Sequence, residues 1–117
     1  MSEEEIKKFC EKFYEALDAG DAETASALFP DGTEIYLWDG RVFKTREEFR
    51  AWFVELYSKS DNAQRKIVDL KVDGNKAKVK VVLHANHNGE QHKVALTHEF
   101  LFEGDKLVEV NVEIKPL

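Results

Sequence analysis

The sequence predicts an α+β fold, three helices packed on a strongly curved antiparallel sheet, and three observations predict it. Apolar residues recur at helical spacing in three segments, all in the first half of the chain. The second half alternates apolar and polar residues over four long runs, the period of half-buried strands. Asp73-Gly74, Asn88-Gly89 and Gly104-Asp105 separate those runs, and such tight-turn pairs make neighbouring strands antiparallel. At 117 residues this is a single domain, 1–117, large enough to bury about two-thirds of its unfolded surface.

The first helix starts at Ser2, where Glu5 three residues on completes a capping box. Ile6, Phe9, Cys10, Phe13, Tyr14 and Leu17 follow on one face, and Gly20 ends the run. Asp21 caps a short second helix carrying Ala25, Leu28 and Phe29, stopped by Pro30-Asp31-Gly32. Residues 35–38 and 42–43 flank Asp39-Gly40, a hairpin signal. Thr45 with Glu48 forms a second capping box, opening a third helix with Phe49, Trp52, Phe53 and Leu56 on its apolar stripe.

Strands are predicted at 64–73, 76–87, 90–103 and 106–115. Parity turns Ala77, Val79, Val81, Leu83 and Ala85 inward, then Val94, Leu96, His98 and Phe100, then Val108, Val110, Val112 and Ile114. The first strand breaks the rule, because Arg65 and Ile67 share one parity while Val68, Leu70 and Val72 share the other. A bulge near 67–68 would bring both sets inward and bend the sheet.

Composition narrows the function. A net charge of −6 with no basic cluster argues against nucleic acid as a partner. No apolar run has transmembrane length, and an acidic N-terminus without a signal peptide fits a cytoplasmic protein in recombinant expression, with no targeting signal and no membrane partner. The single Cys10 excludes an internal disulfide and lies between apolar neighbours, where it reads as a small buried hydrophobe. His84 and His87 lack the acidic or cysteine partners of a metal site, so no metal is expected.

Four polar residues fall on faces that otherwise read as core. His98 shares its strand face with Val94, Leu96, Phe100 and Phe102; Tyr14 and Asp18 sit four apart on a helix; Arg65 lies near a strand start. Burying such groups without partners costs about 1–3 kcal/mol each, which points to a polar-lined pocket in an apolar core. Tyr14 and His98 can hydrogen-bond in either tautomer, and Asp18 and Arg65 can form a carboxylate–guanidinium pair. Arg65 could then stabilise an anion and His98 take or relay a proton near neutral pH. Each has a plainer reading: Tyr14 a core aromatic, Asp18 a solvated last-turn residue, Arg65 a snorkelling cation, His98 a satisfied core histidine. His92 shares the parity of His98 but lies nearer the turn, in solvent. Trp38, Phe49 and Trp52 read as core or pocket wall.

The order helix, helix, hairpin, helix and four long strands resembles the nuclear transport factor 2-like fold over the whole chain. That fold, shared by ketosteroid isomerase and scytalone dehydratase, implies a ligand between the first helix, the third helix and the concave sheet face. More specifically, Phe13-Tyr14-Glu15-Ala16-Leu17-Asp18, Leu37-Trp38-Asp39-Gly40, Arg46-Glu47-Glu48-Phe49-Arg50 and His84-Ala85-Asn86-His87-Asn88-Gly89 are similar to the LuxSit series of computationally designed luciferases, which use this scaffold for the synthetic luciferin diphenylterazine. Ala63-Gln64-Arg65 and Thr97-His98 fall in register, and Ser60, Leu96 and Val110 resemble an improved member of that series. Capping boxes, ideal turns and heavy Glu/Lys faces fit a designed chain independently.

The resemblance implies a Tyr14–His98 dyad and an Asp18–Arg65 dyad around a small-molecule luciferin. It implies oxidation of an imidazopyrazinone with molecular oxygen as co-substrate and no cofactor; a monomer is expected, although the sequence does not settle the oligomeric state. Phe13, Leu17, Trp38, Phe49, Trp52, Phe53, Val81, Leu83, Leu96 and Val110 would form the wall. The rivals are an isomerase or dehydratase on the same fold, and a non-catalytic binder of apolar small molecules.

Overall fold

The structure is a computed structural model describing residues 2–59 and 61–116; Ser60 and the side chain of His87 lie outside the described residues. In chain order it comprises α1 (Glu3–Asp18), α2 (Ala22–Ala27), β1 (Glu34–Tyr36), β2 (Val42–Phe43), α3 (Arg46–Ser58), β3 (Asp61–Asp73), β4 (Lys76–His87), β5 (Glu90–Glu103) and β6 (Lys106–Pro116). Both capping boxes form, Ser2 with Glu5 and Thr45 with Glu48. Asp21 caps α2 through the Thr24 backbone N–H.

The six strands form one sheet in the order β2-β1-β6-β5-β4-β3. Sequential hairpins give the antiparallel β3–β6 meander. The sheet is not wholly antiparallel, however, because β1 lies parallel to β6, with Ile35 opposite Val110. The meander leaves one edge of β6 unpaired, and β1 reaches it from α2 running the same way. A parallel pair needs a long connection, and everything from β2 to β5 lies between the two strands.

The predicted bulge is present: the β3–β4 register jumps between Ile67 and Asp69. It turns Val68 outward, to 56% exposure, rather than into the core. Ile67, Leu70 and Val72 pack against the core from either side of it, which is how one strand of broken parity bends over the helices. A second irregularity separates Leu101 from Phe102 and pairs Phe102 with Leu107. Leu107 therefore takes the buried place expected for Val108, which is half-buried.

The core joins the inner face of α1 (Ile6, Cys10, Phe13, Tyr14, Leu17) to α3 (Phe49, Trp52, Phe53) and to the concave sheet face. Its centre is aromatic: Phe13 meets Phe29, Phe53 and Phe100 at ring separations of 5.1, 5.6 and 6.3 Å. Cys10 is fully buried, as expected of a small hydrophobe. Among the described residues no helix is long and apolar enough to cross a membrane.

Candidate active site

All four singled-out polar residues reach one region, in the expected pairs. The Tyr14 hydroxyl and His98 Nδ1 are 3.0 Å apart, both side chains buried. His98 lies mid-strand in β5, between Val79 of β4 and Val112 of β6, so its ring projects from the concave face toward α1. It stacks on Phe100 and meets Phe13 edge-on. Burial, with the Arg65 charge nearby, pushes the His98 pKa down to about 3. Burial likewise drives the Tyr14 hydroxyl well above its ordinary range. Both partners are therefore neutral at pH 7. The direction of this shift favours the neutral imidazole, because an imidazolium there would lose its hydration beside a guanidinium.

Asp18 and Arg65 make a two-point contact. Arg65 donates from Nη1 to Asp18 Oδ1 at 2.7 Å and from its backbone N–H to Oδ2 at 2.9 Å. The backbone N–H is available because β3 is an edge strand. Asp18 closes α1, where the helix dipole disfavours a carboxylate, and the last turn of α1 carries no basic residue. Arg65 supplies the compensating cation from across the fold. Its side chain is only 6% exposed, against 25% for Asp18, so the pair sits at the edge of the interior.

Beside the two pairs lies a cavity of about 80 Å³. Of the expected wall residues, Phe13, Leu17, Trp38, Trp52, Leu83 and Leu96 line it. Phe49, Phe53, Val81 and Val110 do not; they are packed solidly in the core, Phe49 and Phe53 against the ring of Phe29. Leu56, Val112 and Ile114 line it in addition. Their signals were in the sequence, Leu56 one helical turn beyond Trp52 and Val112 and Ile114 in the parity of Val110. Trp38 is a half-exposed wall, since β1 ends at Tyr36 and leaves Trp38 in the turn.

Arg65 and His98 are the two ionisable side chains in that lining among the described residues. A guanidinium and a neutral imidazole on apolar walls suit a flat, aromatic ligand that develops negative charge. The volume admits about one small ring, well below the roughly 300 Å³ at which drug-sized pockets begin. A ligand of several rings has to displace wall, and exposed Trp38 is the wall with least packing to lose. Among the described residues no three His, Cys, Asp or Glu side chains gather as a metal site would require.

A family model for the SnoaL-like domain matches residues 10–110. The chain belongs to the SnoaL-like domain family. No curated protein matches the sequence. Among solved structures, this SnoaL-like domain is similar to a de novo designed protein with a curved β-sheet, at 22% identity and TM-score 0.78 over 99% of this chain and 89% of that one. It is similar to SalBIII, an epoxide hydrolase/cyclase-like enzyme of pyran ring formation in salinomycin, at 16% identity and TM-score 0.83 over 97% and 93%. A Catenulispora acidiphila protein of ketosteroid isomerase-like fold, solved with trimethylamine, gives 13% identity and TM-score 0.81 over 90% and 83%. These likenesses establish the nuclear transport factor 2-like fold of this SnoaL-like domain.

Proposed function

We propose that this SnoaL-like domain is a luciferase that oxidises the imidazopyrazinone diphenylterazine with molecular oxygen and emits light. It acts as a monomer on a small molecule, with no cofactor, nucleic acid or membrane. The observation that carries the reading is Arg65: a guanidinium oriented by Asp18 at the wall of an apolar cavity. The luciferin loses a proton, and Arg65 stabilises the resulting oxyanion in a water-poor site, where such an interaction is strongest. Oxygen adds to the anion, a dioxetanone closes, carbon dioxide leaves, and the excited amide emits. His98, neutral and tethered to Tyr14, hydrogen-bonds the heterocycle rather than storing the proton, which leaves to solvent. The apolar wall excludes water that would quench the product.

A non-catalytic binder is the second reading, favoured by the small volume of the cavity. An isomerase or dehydratase fits less well, since Asp18 is held by Arg65 and no acid lines the cavity among the described residues. Mixing purified protein with diphenylterazine in air separates them: light well above the free-luciferin background is expected. Background-level light, with the luciferin recovered intact, overturns the proposal. Arg65→Ala should lower emission about 10²-fold while moving the thermal midpoint by only a few degrees. An equal loss of emission and folded fraction would make Arg65 structural.

A further inference from the structure

Arg65 lines a second space. On its outer side an open cleft of about 670 Å³ is bounded by Asp18, Asn62, Gln64, Arg65, Lys66 and His84. Arg65 is the residue common to the cleft and the apolar cavity. The backbone makes this cleft. Between Asp61 opposite Asn86 and Gln64 opposite His84, β3 carries an extra residue, and Asn62 adopts φ of 52°. Asn tolerates that left-handed conformation better than most residues, and a bulge re-aims the side chains beside it. The lining is polar and cationic. Arg65 and Lys66 bring two positive charges, Asn62 and Gln64 bring amide donors, and the carboxylate of Asp18 is engaged by Arg65. Among the described residues Asp18 is the one side-chain partner of the Arg65 guanidinium, which has five N–H donors.

We propose that this cleft is a subsite for a carboxylate borne by an aromatic ligand, with the ring in the apolar cavity and the carboxylate on the Arg65 guanidinium. The exposed Lys66, Asn62 and Gln64 stand at the mouth of the cleft, where the Lys66 charge favours an anion from the rim. The proposal rests on reading the cavity as a ligand pocket but not on the chemistry of light emission. Ligands that extend an arene by an anionic arm are therefore selected over neutral ones of the same shape.

Titration of the purified protein with 2-naphthoate and with neutral 2-naphthamide, followed by calorimetry and by the fluorescence of Trp38 and Trp52, tests this. The carboxylate should bind about five- to tenfold more tightly than the amide. Lys66→Gln should reduce that ratio about threefold. Lys71→Gln, the same charge change on β3 outside the cleft, should leave the ratio unchanged. Equal binding of both probes, binding of neither, or equal effects of the two lysine variants overturns the subsite. Emission from diphenylterazine, which has no carboxylate, is measured separately, so failure of the subsite and failure of the luciferase reading give different results.

Discussion

At the residue scale, His98 is a titratable side chain held in the core at 5% exposure. An unfolded chain protonates it near its ordinary value of 6.5, whereas the folded chain does so only near 3. Between those values the unfolded state binds the extra proton, so stability falls as pH drops through the window and is fully present above it. Urea unfolding should show the wild type losing about 2 kcal/mol more than His98→Gln between roughly pH 7.5 and pH 5. Parallel losses would mean that His98 titrates normally in the fold. The sequence revealed this residue through strand parity alone. It did not reveal the charge state, because burial and the neighbouring Arg65 are tertiary facts. Asp18 was weaker still as a signal: a carboxylate ending a helix reads as solvated until the edge strand carrying Arg65 is seen to run alongside.

At the element scale, the corner between α1 and α2 turns on Gly20. Its φ is +72°, and a Cβ there would lie 2.6–2.8 Å from the ring of Tyr57 on α3. Gly20→Ala should therefore lower stability by about 1–2 kcal/mol, from the left-handed backbone and the displaced ring together. In a Tyr57→Ala background the cost should shrink toward the backbone part; an unchanged cost would mean that Tyr57 does not shape the corner. Element positions were largely legible because their signals are local. Capping boxes, turn pairs and alternation fixed nearly every helix and strand within a few residues. Elements failed where pairing rather than local sequence decides: Val68 went outward at its bulge, and Leu107 displaced Val108 at the other. A bulge was readable from broken parity, but not which residue it ejects.

At the scale of the whole molecule, the meander is built from neighbours in sequence, while β1 and β6 meet across most of the chain. Loop-closure entropy makes the latter contact late. In kinetic mutagenesis, Val81→Ala should slow folding, with a φ-value above about 0.5, whereas Ile35→Val should mainly speed unfolding, with a φ-value below about 0.3. The reverse order would place the parallel pair in the nucleus. The cone itself was legible from element order; the parallel pair was not, since β1 is three residues long and carries no sign of its partner's direction.

The parallel β1–β6 pair also governs timing. During synthesis, β1 and the Trp38 turn emerge early, with no strand to lie against. The last strand brings that partner together with Val112 and Ile114, the far wall of the cavity. Without β6, the cavity beside Arg65 and His98 would lack the wall that Val112 and Ile114 supply. Enclosure of the site therefore depends on β6, the last strand in chain order.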